Sequence, residues 1–201
     1  MSNGWFPGLL EGWGVRLEPL TVAHMSHLAV LVRDTALPAC PYLVIPNVEK
    51  LRNYIDTALS DAARGGAVPY VVMRLVGEQW AVCGMTRCMR FAPLHKRMEI
   101  GGTWLAYSAR GTHINAAAKL LLLTQVFDHM GWNRVEFVVH PDNLRSRQAL
   151  EKLGAAYEAT LRRYFVVHGQ SCDAAMYSVT LDDWPVVKGN LKNKLQTYGR
   201  S

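Results

Sequence analysis

The order strand, long helix, strand over residues 97–140 constrains this chain more than any other feature. "RMEIGGTWLA" (97–106) and "RVEFVVH" (134–140) are β-rich runs. Between them Ala116, Leu120, Leu123, Phe127 and Met130 recur at steps of four and three, which is one apolar stripe of an α-helix, and Gly131 supplies a stop. Such a unit is a βαβ crossover, so its two strands should be parallel or nearly so. The helix opens with Arg-Gly-Thr-His-Ile-Asn and has no acidic residue in its first turn. Helix starts usually favour Asp or Glu, because the first N–H groups are unpaired and the dipole there is positive. A start without carboxylates suits an anion supplied from outside.

The flanking segments predict the rest. "GVRLEPL" (14–20) reads as a short strand, and Thr21 can cap a helix reaching about Arg33. "PACPYLVIP" is a proline-rich loop. Asn47 caps an amphipathic helix whose buried stripe is Val48, Leu51, Ile55 and Leu59, ended by Gly65 and Gly66. "AVPYVVMRLV" and "WAVCGMTRCMRF" form a hairpin across Gly77-Glu78. "RSRQALEKLG" is a short helix closed by Gly154, strands follow at about 157–167 and 173–180, and 181–201 is a C-terminal helix or tail. The expected architecture is α/β (α+β): one domain over 1–201, with a mixed, mostly antiparallel twisted sheet and flanking helices.

Composition bounds the function classes. Half of the 201 residues are hydrophobic, enough for one well-buried globular domain. No apolar run approaches the ~20 residues needed to cross a bilayer. "MSNGWFPGLLEGWG" lacks the pattern of a signal peptide. Cys40, Cys83, Cys88 and Cys172 show no C-x-x-C pair and no zinc spacing, so reduced thiols, a cytoplasmic location and no metal are expected. None has the neighbouring His of a nucleophile. The net charge of +6 fits a polyanionic partner. The basic residues are scattered (Arg87, Arg90, Lys96 and Arg97 form one group) without interleaved aromatics, which is a weak footprint for nucleic acid.

The ordered segments "MEIGGTWL", "ARGTHINAAAKLLLL", "NRVEFVVHPDNLRSRQALEKLGA" and "YSVTLDDWPVVKGNL" resemble the GNAT acyl-CoA N-acyltransferases. They are similar to the branch containing ribosomal-protein alanine N-acetyltransferases. The resemblance covers nearly the whole chain. It implies acetyl-CoA bound where two parallel strands, here 98–105 and 134–140, splay apart. The pantetheine arm would bond the strand near Trp104, Leu105 and Ala106, and the pyrophosphate would sit on the following helix start. An amine would then attack the thioester directly. Arg110 matches the start of the family's phosphate-loop signature, and Gly111 is an extra glycine. His113 and Asn115 stand where Gly, and Gly or Ala, are usual. The loop residues Arg110, Gly111, Thr112, His113, Ile114 and Asn115 are the candidate phosphate cradle, because a pyrophosphate needs converging N–H donors. If residue 113 is helical, its amide can still donate and its imidazole can point away.

Asn143 and Ser146 form N-x-x-S after a strand. Read as residues alone, they cap a helix. The resemblance makes Asn143 a pantetheine contact and places Ser146 near the thioester sulfur. Glu99 is the candidate for taking the substrate's proton, since a strand carboxylate beside a splayed sheet can have a raised pKa. A surface or salt-bridged Glu is the alternative. The Gly101-Gly102 pair would turn Glu99 to the wrong face unless a bulge absorbs one residue. His140 is a second base candidate or a satisfied strand-end histidine, the reading we prefer. Tyr107 would border the phosphate loop. Tyr164, Tyr177, Trp104 and Trp184 are expected to pack in the interior. The acceptor cleft would be shaped by the loop 36–47, the helices 21–33 and 47–64, and the 167–172 turn. Acceptors from protein N-termini to small amines stay open, as does homodimerisation. A non-catalytic acyl-CoA-binding module that kept the fold is the competing reading.

Overall fold

The computed structural model describes residues 8–33, 46–167 and 169–198. Eight strands form one sheet in the order β1-β2-β3-β4-β5-β6-β8-β7. They are β1 (Leu10–Gly12), β2 (Val15–Pro19), β3 (Ala67–Val76), β4 (Gln79–Ala92), β5 (Arg97–Leu105), β6 (Arg134–Val139), β7 (Ala156–Val167) and β8 (Gln170–Thr180). The helices are α1 (Met25–Arg33), α2 (Val48–Ala63), α3 (Ile114–Thr124), α4 (Leu144–Leu153) and α5 (Trp184–Tyr198). Among the described residues only β5 and β6 pair in parallel; every other neighbour pair is antiparallel. The crossover strands are therefore the parallel pair that the strand–helix–strand order requires.

Each face of the sheet has its own core. On one face α3, α4 and α5 bury Val15, Leu17, Met98, Ile100, Val135 and Phe137 beneath them. On the other, α1 and α2 cover Val71, Met85 and Trp104. Of the predicted α2 stripe Leu51 and Ile55 are buried and Leu59 is half-buried, but Val48, in the first turn, is exposed; Asn47 caps that helix by accepting the Lys50 amide at 2.9 Å. The α3 stripe is buried too, at Ala116, Leu120, Leu123 and Phe127, with Met130 at its end half-buried. Helix α3 runs on into a wider π turn over Gln125–His129, and Gly131 stops it at φ +62°. Phe127 stacks on Trp184 at 5.3 Å, while Trp184 Nε1 donates to Asp128 at 2.7 Å, locking α5 onto α3.

Several details differ from the sequence expectation. Residues 10–12 add a short edge strand, joined to β2 by Trp13 and Gly14, both at positive φ. The helix beginning after Thr21 opens with a 3₁₀ turn, Val22–His24. Tyr177 is fully buried as expected, but Tyr164 is exposed and its hydroxyl accepts from Arg90. Cys83 and Cys88 are buried free thiols, and burial pushes the Cys83 thiol up to about 12, so neither is an activated nucleophile. Cys40 and most of the 36–47 loop lie outside the described residues.

Candidate active site

Strands β5 and β6 pair at Arg97–Arg134, Met98–Val135 and Glu99–Glu136, and there the pairing ends. β5 continues to Leu105 and β6 to Val139. A notch thus opens at the carboxyl ends of two parallel strands, where open α/β sheets place their ligands. The two strands lead into α3 and α4, so both helix N-termini flank its mouth.

A bulge shapes the β5 wall. Met85 pairs with Trp104 and Arg87 with Gly101, so two steps along β4 face three along β5. The extra residue is absorbed beside Gly102, which sits at φ +57°, a conformation that suits glycine. The consequence is the one on which Glu99 depends. Met98 and Ile100 belong to the α3-side core and Trp104 to the α1/α2-side core. Alternation then places Glu99 on the α1/α2 face, the same face as Trp104, although five positions separate them. Without the bulge they would point oppositely.

Glu99 is 5 % exposed. Its Oε2 lies 3.2 Å from Nη1 of the half-exposed Arg90 but has no hydrogen-bond partner among the described residues. Glu136 sits beside it in register and has two partners, Arg97 at 3.1 Å and Arg134 at 2.9 Å. Burial raises the Glu99 pKa to about 7; Arg90 opposes this and the Glu136 charge adds to it. This carboxylate can hold or release a proton near neutrality.

The helix start is equally informative. His113 is at φ −68°, ψ −16°, ordinary helical values that admit a side chain. Its ring leans against Tyr198 of α5 at 5.7 Å. Thr112 caps Ile114 N–H at 3.3 Å. The first bond of the helix runs from Ala117 N–H to His113, so the amides of Asn115 and Ala116 precede any helical acceptor. No acidic residue stands in the first turn. The cradle fits an anion. Arg110 turns back and donates from Nε to the Leu105 carbonyl at 2.9 Å, fastening the loop to the strand end. Ala106 N–H is taken by Cys83 O on β4 at 2.8 Å, so the neighbouring Leu105 backbone points the other way, into the notch. Tyr107 is largely exposed beside this loop.

On the α4 side, Asn143 Oδ1 accepts the Ser146 amide at 3.2 Å. The helix-cap reading is therefore correct for the Asn143 oxygen. The Ser146 hydroxyl carries no part of that cap. His140 Nδ1 accepts the Asp142 amide at 3.2 Å, as a satisfied strand-end histidine does.

Two residues escaped the sequence reading of the site. Lys119, alone in the apolar run "AAAKLLLL", is 6 % exposed beneath the notch. Its Nζ donates to Thr103 on β5 at 3.0 Å and lies 6.0 Å from the Phe137 ring on β6. Burial lowers its pKa to about 8. The folded pKa lies below the ordinary 10.5, so the folded chain binds this proton more weakly and stability rises as pH climbs from 8 to 10.5. Lys119→Met should therefore stabilise the protein at pH 7 by about 1–2 kcal/mol, the lost Thr103 hydrogen bond offsetting part of the gain, and the gain should shrink by pH 10 in paired urea titrations. The second is Arg87, which reads as part of a basic surface group but packs on the Tyr54 ring at 4.4 Å.

A cavity of about 380 Å³ opens elsewhere, between β1, α3 and α5, and is lined by none of the candidate site residues. Among the described residues no group of His, Cys, Asp and Glu side chains could hold a metal, and no helix is long and apolar enough to cross a membrane.

The family model for the acetyltransferase (GNAT) domain matches residues 15–156. This chain belongs to the GNAT acetyltransferase family. YdaF of Bacillus subtilis (strain 168), provisionally named a ribosomal N-acetyltransferase, is 30% identical over 104 residues, 52% of this chain and 56% of that protein. The matched segment thus spans little more than half of that relative. A crystal structure of a provisionally named acetyltransferase from T. thermophilus is 33% identical, covers 94% of this chain and 98% of its own, and has a TM-score of 0.82. RimJ of Mycobacterium smegmatis, solved in complex with CoA-disulfide, shares the fold at TM-score 0.76 and 22% identity, covering 96% of this chain and 97% of its own. The family's donor, as the sequence resemblance implied, is acetyl-CoA.

Proposed function

We propose that this GNAT protein transfers an acetyl group from acetyl-CoA to a primary amine by direct attack on the thioester. The observation that carries this reading is the end of β5–β6 pairing at Glu99 and Glu136, with the α3 and α4 starts at the open side. The amides around 111–116 would hold the pyrophosphate. The notch-facing backbone of Leu105 and the amide nitrogen of Asn143 would hold the pantetheine arm. Glu99 takes one proton from the substrate ammonium, directly or through water. The freed amine nitrogen bonds to the acetyl carbon and the carbon–sulfur bond breaks. The second nitrogen proton passes to the departing thiolate, with the Ser146 hydroxyl as relay. Products are an acetamide, CoA thiol and one released proton. The provisional name of YdaF supports ribosomal-protein N-termini as one acceptor class.

Calorimetry with acetyl-CoA tests the first half and thiol release over an amine panel tests the second. Micromolar binding with turnover is expected. Absence of binding in a folded sample would remove the proposal, and tight binding without turnover would establish the CoA-binding module instead. Ser146→Ala should lower kcat roughly 10²-fold with acetyl-CoA affinity little changed, because the cap uses the Ser146 amide and not its hydroxyl. Equal losses in turnover and affinity would make Ser146 a positioning residue.

A further inference from the structure

Beside the notch, on the α1/α2 face, three buried donors have no acceptor among the described residues. They are Arg87 Nε, Arg87 Nη2 and Trp104 Nε1. Buried polar groups in native proteins are nearly always paired, so an unpaired set marks an absent ligand, ion or water. The two Arg87 nitrogens matter as a pair. Nε–H and the Nη2–H syn to it point in parallel and form the side-on edge of the guanidinium, the geometry that grips a carboxylate through two bonds. The guanidinium lies over the Tyr54 ring at 4.4 Å, and its stem lies 3.4 Å from where a Cβ on Gly102 would be. The fork is thus held from below by α2 and beside the bulge that forms the notch wall. Among the described residues no carboxylate completes it.

The opposite need lies on the same face. Glu99 Oε2 is a buried acceptor with no hydrogen bond among the described residues, its one ion pair there being to the half-exposed Arg90 at 3.2 Å. Arg87 pairs with Gly101, two positions from Glu99, and Glu99 Oε1 lies 2.9 Å from where a Cβ on Gly101 would be. An acceptor-poor end at Arg87 and a donor-poor end at Glu99 are complementary to a molecule that carries a carboxylate and an amine together. We propose that the acceptor of this enzyme is a primary amine bearing a carboxylate, with Arg87 as the specificity-determining residue that receives the carboxylate while Glu99 faces the amine. The inference rests on the acetyl-transfer reading and narrows its acceptor.

The carboxylate has two sources, a free amino acid or an acidic residue near a peptide's N-terminus, and the test separates them. Thiol release from acetyl-CoA is measured with free amino acids and their carboxamides, and with peptides beginning in Asp or Glu and their Asn or Gln counterparts. One of the two pairs should show a carboxylate preference in kcat/KM of about 10- to 100-fold, as expected for a bidentate charged pair. Arg87→Ala should collapse that ratio toward one, mainly through KM. Arg87→Lys, which keeps the charge and the fold but not the fork, should recover only part of it. Calorimetric titration of the same compounds into the CoA complex reads the preference without turnover. Equal wild-type values for each acid and its amide, or a ratio unmoved in both variants, would overturn the assignment while leaving acetyl transfer standing. Failure of acetyl-CoA itself to bind or release thiol would instead bring down the reading beneath it. The same panel showing neither reaction nor binding of any carboxylate would overturn the inference.

Discussion

Glu99→Gln is expected to reduce kcat by about two to four orders of magnitude while acetyl-CoA still binds. The substitution keeps the size of the side chain and removes its capacity to take a proton. The geometry makes the loss large. An ammonium acceptor cannot attack until it is deprotonated, and Glu99 is the buried carboxylate at the point where β5 and β6 part. Its neighbour Glu136 is tied to Arg97 and Arg134, whereas among the described residues Glu99 has one half-exposed arginine and an Oε2 without a hydrogen bond. Wild-type kcat/KM should fall with decreasing pH through about 7, as burial-raised Glu99 becomes protonated. The variant should lose that limb from its profile. A profile unchanged in shape, with kcat within a few-fold of wild type, would move the base function to water or His140.

The same substitution has a stability signature of opposite sign. Folded Glu99 titrates at about 7 against an ordinary 4.5, so the folded state binds the proton more tightly. Stability is lost as pH rises from 4.5 to 7, because ionising the buried group is unfavourable. Glu99→Gln should therefore unfold at higher urea than wild type at pH 8, by about 2–3 kcal/mol, and match it near pH 4.5. A residue selected for stability alone would not behave this way. Loss of activity together with gain of stability is the pattern of a group held in an unfavourable environment for its chemistry.

The sequence showed the frame of this site and not its facing. The period of the apolar stripe and the β-rich runs located α3, β5 and β6, and their order required the parallel pair. The missing carboxylates at the start of α3 and the Asn143 cap were readable because capping is local chemistry. Which side Glu99 faces was not readable, since it turns on one bulged residue whose position is set by pairing with β4. Nor does residue type reveal that His113 leaves the loop unstrained, since that depends on its φ of −68°. Arg87 looked like surface charge because a strand shows its partners only across the sheet and under the helix that covers it. Lys119 is legible as a buried polar group, because it is a lone charge inside the apolar run "AAAKLLLL". The edge strand at Leu10–Gly12 lay hidden because its turn uses Trp13-Gly14 where Asn-Gly is the usual sign.

Gly84→Ala is expected to be the most damaging single change to the fold around the notch. Gly84 pairs with Leu105, where the β5 wall ends, and the next ladder bond is Ala106 N–H to Cys83 O. A Cβ on Gly84 would stand 3.0 Å from Leu105 Cα, 2.7 Å from Leu105 Cδ2, and closer still to the Trp104 carbonyl oxygen. A flexible side chain could move aside, but two of these neighbours are backbone. The methyl group can be accommodated only by pushing β5 away from β4. That shift would break the Ala106 bond and slide Trp104 and Leu105 out of the wall. By analogy with overpacked cores the loss is about 2–4 kcal/mol, read as a lower urea midpoint. Acetyl-CoA affinity should fall with it, because the notch-facing Leu105 backbone moves as one piece with the strand. Gly111→Ala provides the contrast. Its added Cβ meets nothing within 4 Å, and the cost there is confined to the φ of +71°. That change should destabilise by about 1 kcal/mol, so a Gly84 variant no worse than the Gly111 variant would show that the β4–β5 contact does not set the shape of the notch.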